Sequence, residues 1–223
     1  VEESCAMARA LLAQGVTTVC ATPHVNEWST PPDVGRLIGE LQETFEAEGI
    51  LLPLLCGAEV HLTPHPVQAR LNASPYLLLE FPYDSLPPSY EQVIFELQIH
   101  GIRPVIAHPE RITPIAEDPN VLYQLVRRGC LGQLTALSLA GGFGARLREI
   151  SELMIEHNLI QVIASDAHDC GDRLQAISEA RALCGNRAVE LFEETPRKIL
   201  AGEAVKPAPP IEIRKRRFLG VFG

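Results

Sequence analysis

Five short motifs put a side chain able to ligate a metal just beyond an apolar run. They are Ala21-Thr-Pro-His24, Gly57-Ala-Glu59, Leu77-Leu-Leu-Glu-Phe-Pro82 with Glu80, Ala107-His-Pro-Glu-Arg111 with His108, and Ala164-Ser-Asp-Ala-His168 with Asp166 and His168. Imidazole nitrogens and carboxylate oxygens without thiolates suit Mn²⁺, Fe²⁺ or Zn²⁺ in a multi-metal site, where a carboxylate can bridge two ions and a bound water becomes a hydroxide nucleophile near neutral pH. That is hydrolytic equipment of the phosphoester type. Arg111 and Arg173 follow closely on His108 and His168, and guanidinium forks match phosphate oxygens bidentately. A phosphate substrate is therefore expected.

Each residue also has a plainer reading. A carboxylate buried at Glu80 costs several kcal/mol unless a cation meets it, and a structural salt-bridge partner is the plainer alternative to a metal. Glu59 is similar. His24 alone reads equally well as a cap, and Asp166 with His168 as a buried hydrogen-bonded pair; Arg111 and Arg173 read as surface ion-pair residues. The constellation at one rim favours the metal reading. His61, His65, His100 and His157 fall in connections or on helical segments, where a solvated imidazole is the default. Trp28, near His24, is as much a loop aromatic as a pocket wall. Ser138 and Ser165 lack the context of an activated nucleophile.

The elements that must position these residues alternate. Apolar runs at 16–21, 54–59, 76–81, 103–107, 131–135 and 160–165 read as strands, and amphipathic stretches at 3–14, 33–48, 89–101, 119–128, 142–157 and about 173–201 read as helices. Strands that are apolar throughout, separated by helices, point to an α/β fold with a parallel sheet covered by helices. Chemistry in such folds sits at the carboxyl ends of the strands. No G-x-G-x-x-G or Walker loop is present, so a barrel is preferred over a nucleotide-binding doubly wound sheet.

Composition removes other classes. The 223 residues carry 19 Lys+Arg against 28 Asp+Glu, a formal charge of -9, with 46% hydrophobic residues. The sign is wrong for a protein living on nucleic-acid phosphates, and the apolar fraction suffices for a full core. Six cysteines without a C-x-x-C pair read as free thiols of a reducing cytosol. None has an arginine six positions later, which disfavours thiol-type phosphate transfer. Gly129–Ala145, the longest uncharged stretch, is too broken by glycines and polar residues to span a bilayer. The start, Val-Glu-Glu-Ser-Cys, resembles no signal peptide and lacks Met. From Lys206, Pro207-Ala-Pro-Pro210, Arg214-Lys-Arg-Arg217 and Phe218-Leu-Gly-Val-Phe222 read as an extended basic tail, solvated, with weak contact to an anionic membrane as the alternative.

In this order and spacing, the five motifs resemble the PHP-type bacterial protein tyrosine phosphatases of the polymerase and histidinol phosphatase superfamily. The resemblance runs from Glu2 to about Glu203 and includes Phe95-Glu-Leu-Gln98, Ser138 with Gly141-Gly-Phe-Gly144, and Thr195-Pro-Arg-Lys-Ile-Leu200. It implies a phosphatase domain over 1–203, a tail over 204–223, and a distorted (β/α)7 TIM-like PHP barrel. It also implies up to three metal ions, usually Mn²⁺, cytoplasmic location, and dephosphorylation of phosphotyrosine on a tyrosine autokinase of capsule or exopolysaccharide synthesis. On that scheme Glu59 bridges two ions, Asp166 completes one site, Glu80 and His108 a second, and His24 and His168 contribute to a third, while Arg111 and Arg173 hold the phosphate. Members open with a strand ending in His-x-His, and this chain begins after it, so the first strand and its ligands are expected to be missing. The alternatives are another phosphoesterase of the superfamily, acting on histidinol phosphate or nuclease-like, and a truncated, non-catalytic regulatory form.

Overall fold

The structure is a computed structural model that describes residues 1–25, 33–66 and 69–214. Trp28, and the basic and aromatic residues from Lys215 to Phe222, lie outside them. Helix α1 (Glu2–Ala13) leads to strands β1 (Val19–Ala21) and β2 (His24–Val25), then α2 (Val34–Ala47), β3 (Leu54–Cys56), β4 (Glu59–His61) and β5 (Tyr76–Glu80). Helix α3 (Tyr90–Ile99) and β6 (Arg103–Ala107) follow, then a 3-10 turn at Pro109–Arg111, α4 (Thr113–Glu117), α5 (Asn120–Arg127) and β7 (Leu131–Thr135). After α6 (Ala136–Ala140), α7 (Ala145–Glu156) and β8 (Val162–Ala164) come α8 (Asp172–Gln175), α9 (Ile177–Leu183) and α10 (Thr195–Leu200).

All strand pairs are parallel. β1 pairs with β3, and the six-stranded sheet runs β2-β4-β5-β6-β7-β8. The short ladders β1–β3 and β2–β4 continue one another. Between them Gly57 N donates to Ala21 O at 2.9 Å and Glu59 N to Pro23 O at 3.1 Å, so backbone bonding crosses the break. Pro23 brings no N–H of its own. Gly57 is required for closeness, since a Cβ there would stand 2.8 Å from Cys20 Sγ and 3.1 Å from Thr22 Cγ2. The expected strand over 54–59 is thus real but interrupted, and it runs two residues further, to His61.

Both faces of the sheet are buried, as the uniformly apolar runs require. Leu77, Leu79, Ile106, Leu134 and Ile163 join the main core beneath α3, α5 and α7, while Tyr76, Leu78, Val105, Leu131 and Val162 build a second cluster on the opposite face. α1 and α2 pack through Cys5, Ala8, Leu11 and Phe45 onto Leu174 and Ile177. Asp33 caps α2, its carboxylate accepting from Arg36 N at 3.1 Å.

Three local expectations change. The strand expected from residue 16 starts at Val19, and α4 was not foreseen. The helix expected over 142–157 is α7, which starts at Ala145 behind Gly144 (φ 100°), and an unforeseen short helix, α6, precedes it and is ended by Gly141 (φ 88°). The described chain after residue 203, up to Arg214, forms neither helix nor strand. It is tied to the body by Ile213 N to Asn120 Oδ1 (2.9 Å) and Ile211 N to His157 O (2.8 Å). Among the described residues no helix is long and apolar enough to cross a membrane.

Candidate metal centre and anion fork

The strands deliver their chemistry at their carboxyl ends. His24 and Glu59 face each other across the β2–β4 ladder, His61 closes β4, Glu80 closes β5, and His108 follows β6 directly. His108 takes φ 31° and Asp166, beyond β8, φ 52°. Such left-handed, non-glycine backbone is uncommon, costs about 1–3 kcal/mol, and gathers at functional sites.

Two ligand groups share Glu80. In one, His24, His61 and Glu80 offer atoms within 4.8 Å of one another; in the other, Glu59, Glu80 and His108 do the same. His108 Nε2 lies 2.9 Å from Glu59 Oε1 and 3.4 Å from Glu80 Oε1. His24 Nε2 lies 3.6 Å from Glu59 Oε2 and 3.6 Å from Glu80 Oε2, and its ring stacks on His61 at 5.4 Å. Glu59, Glu80 and His108 are buried.

Electrostatics bind this cluster. Burial drives the Glu80 carboxyl upward, but the His108 hydrogen bond and the imidazoles of His61, His108 and His24 outweigh it and leave the pKa lowered. Burial likewise opposes a charge on His108, yet its hydrogen bonds to Glu59 and Glu80 raise it to about 9. Glu80 Oε2 is buried without an aligned hydrogen bond although His61 Nδ1 stands 3.1 Å away, and His108 Nδ1 is also unpartnered. Nitrogen and oxygen ligand atoms gathered in one space, with His108 bonded to the carboxylates but Glu80 Oε2 left over, form an arrangement that a cation satisfies. The hard nitrogen and oxygen donor set fits a divalent metal.

Beside it sits a cationic fork. Arg111 Nη1 and Arg173 Nη1 donate to the same atom, Asp166 Oδ2, at 3.0 Å and 2.9 Å. Arg173 Nη1 also reaches Asp166 O at 3.0 Å and His168 Nδ1 at 2.9 Å. Asp166 and His168 therefore belong to the arginine side, and neither lies in the two ligand groups. The His168 ring is 6.4 Å from that of His24, so the two halves adjoin.

Of the residues singled out from the sequence, His24, Glu59, Glu80 and His108 converge as one cluster, and Asp166, His168, Arg111 and Arg173 as the adjoining one. His61 corrects the expectation of a solvated histidine: strand β4 continues past Glu59, and residues two apart on a strand share a face. Glu-x-His was the available signal. Glu80 is common to both groups, and Glu59 lies in one of them. Glu110 was also missed. It is fully buried inside His-Pro-Glu-Arg, its Oε1 accepting from Thr135 N at 3.1 Å and Ser138 Oγ at 2.7 Å, which pins the turn carrying Arg111 against the end of β7. Burial raises its pKa.

The thiols stand apart from this chemistry. Burial pushes Cys20 and Cys130 up to about 12 and Cys184 to about 11, which leaves them poor nucleophiles.

The chain is 36% identical to the tyrosine-protein phosphatase YwqE of Bacillus subtilis, over 99% of this chain and 92% of that protein. It is 30% identical to the putative tyrosine-protein phosphatase CapC of Staphylococcus aureus, over 100% and 93%. A solved structure matches with a TM-score of 0.84 at 34% identity, covering 96% of this chain and 92% of that one; it is described as crystal structures of YwqE from Bacillus subtilis and CpsB from Streptococcus pneumoniae, unique metal-dependent tyrosine phosphatases. The family model for capsular polysaccharide synthesis, CpsB/CapC, matches residues 1–203. The chain belongs to the CpsB/CapC family of capsular polysaccharide synthesis.

Proposed function

We propose that this chain is a metal-dependent protein tyrosine phosphatase that removes phosphate from a tyrosine kinase of capsule or exopolysaccharide synthesis in the cytoplasm. The observation that carries the reading is the convergence of Arg111 and Arg173 on a single oxygen, 3.0 Å and 2.9 Å away, beside two carboxylate–imidazole ligand groups. Two guanidiniums aimed at one anionic oxygen are suited to the oxygens of a phosphate monoester. The family membership and the names of its relatives support the same substrate class.

In this reading His24, His61, Glu59, Glu80 and His108 hold the metal, for which Mn²⁺ is the proposed ion, with Asp166 and His168 at its margin. When bound, the metal supplies Lewis-acid polarisation of the phosphoryl group and an acidified water. The chain's own residues do the rest. Arg111 and Arg173 bind and orient the phosphate and offset the charge that develops on its equatorial oxygens. Glu110 holds the Arg111 turn in place. His108 must give up its proton to act as a ligand, and Glu59 and Glu80 are the neighbours that otherwise keep it charged. No side chain needs to carry the phosphoryl group.

The strand order also bears on architecture. Parallel strands that follow sequence order without reversal favour a singly wound (β/α) barrel over a doubly wound sheet, whose order reverses at its binding crevice. We take residues 1–203 as the phosphatase domain.

The discriminating experiment compares phosphate release from a phosphotyrosine peptide, histidinol phosphate and single-stranded DNA under one metal condition. Preference for the peptide by an order of magnitude or more is expected. Preference for either other substrate would move the activity to a different phosphoesterase class.

A further inference from the structure

Phe143 donates and accepts nothing, yet both arginines pack on it. The guanidinium carbon of Arg111 lies 4.9 Å from its ring centroid and that of Arg173 5.7 Å. Tyr83 forms a second wall: Arg111 is 5.2 Å from its centroid, and the Tyr83 ring stacks on His108 at 5.4 Å with only 7° between the planes. The phosphate fork is thus lined by two aromatic rings. Tyr83 keeps 40% of its surface exposed, and Phe143 is half-buried, so both have apolar surface to offer a ligand.

The loop that presents Phe143 is specified by its glycines. Gly141 ends α6 with left-handed backbone, and a Cβ at Gly142 would collide with the Leu137 side chain. Gly142 N donates to Leu137 O at 3.0 Å, which folds the loop back on α6 and points the following residue at the arginines. A side chain at Gly142 requires Leu137 or the loop to shift.

A phosphate monoester carries its alcohol group on an oxygen of the phosphate itself. With the phosphate on Arg111 and Arg173, the first atoms beyond the ester oxygen come next to Phe143 and Tyr83. A phenyl ester places a π-face there, and aromatic rings pair edge-to-face or offset at centroid distances of about 4.5–7 Å. A serine or threonine ester places one aliphatic carbon there and leaves the rings to water. Resting on the reading of Arg111 and Arg173 as the phosphate fork, we infer that Phe143 and Tyr83 form the aryl subsite of this chain and select phosphate esters of phenols over those of aliphatic alcohols. Phe143 is in addition a positioning residue for both guanidiniums, which it holds through cation–π contact.

The test is calorimetric binding to the full chain with Mn²⁺ present. Three ligands are compared: two peptides of one sequence bearing the non-hydrolysable phosphonate isosteres of phosphotyrosine and of phosphoserine, and inorganic phosphate. The tyrosine isostere is expected to bind tighter than the serine isostere. Phe143→Leu and Tyr83→Leu each reduce that ratio roughly 2- to 10-fold, the worth of one aromatic pair, whereas Phe143→Tyr retains it. Thermal melts establish that the variants are folded. A mere prop for the arginines would weaken inorganic phosphate and the tyrosine isostere equally in Phe143→Leu; that result, or an unchanged ratio in both leucine variants, overturns the inference. Phosphate binding with no aryl preference in the wild type overturns it alone, and failure of all three ligands to bind overturns the phosphate fork as well.

Discussion

Arg111 and Arg173 reach Asp166 from two different elements, a 3-10 turn after β6 and helix α8 after β8, and their Nη1 atoms meet at one carboxylate oxygen. Residues 62 positions apart in the chain thereby form one anion site. Asp166 occupies that fork in the present structure, standing where a phosphate oxygen is proposed to bind.

Removing one prong should therefore weaken phosphate more than it weakens the fold. A hydrogen bond to a charged group is worth about 1.5–3 kcal/mol, roughly 10- to 150-fold in affinity. Arg111→Ala and Arg173→Ala are each expected to raise the inhibition constant of inorganic phosphate within that range. Lysine at either position restores charge without the planar fork and recovers only part of the loss.

His61 is the ligand candidate that the sequence reading passed over. His61→Ala is expected to lower Mn²⁺ affinity by more than about 100-fold, above the roughly 10- to 100-fold for residues that merely orient ligands. His157→Ala, at the end of α7 where Nδ1 engages Leu153 O of the same helix at 2.9 Å, is the matched control and should leave Mn²⁺ affinity as in the wild type. Calorimetric titration of metal into chelator-treated protein reads both.

The metal-free protein should lose stability at alkaline pH through His108. Its pKa is raised from 6.5 to about 9 in the fold, so the contribution of its charged form is complete below about 6.5 and is lost as pH rises through 9. Glu80 has the opposite sign: its lowered pKa gives stability above the ordinary carboxylate range that disappears on acidification. Melting temperature across pH 4–10 should form a plateau falling at both ends, and His108→Gln should flatten the alkaline limb.

Thiol chemistry should be dispensable. Cys56 and Cys170 are exposed, while Cys5, Cys130 and Cys184 are buried. Alkylation of the folded protein is expected to modify the exposed pair and to leave phosphatase turnover unchanged, which is measured directly by mass spectrometry beside the rate.

The sequence was legible where local chemistry and burial coincide. Every expected strand is present because a strand buried on both faces shows as an unbroken apolar run, and the polar residue that ends the run is the one presented at the rim, as with Glu80 after Leu77–Leu79. His61 escaped because a strand was taken to stop at its first charged residue, although β4 continues past Glu59. The short helix α6 escaped because its five residues, directly after β7, are too few to show a helical period. Tyr83, Phe143 and Glu110 escaped for another reason: their roles lie in contacts between segments remote in the chain, such as Glu110 with Ser138, and no periodicity encodes them.

The most direct measurement is phosphate release from a phosphotyrosine peptide by the 223-residue chain, titrated with Mn²⁺ after chelation and run beside His108→Ala. The account predicts release that rises with Mn²⁺ and falls to background in the variant. Release that ignores Mn²⁺, or that persists at the wild-type rate without His108, would contradict it.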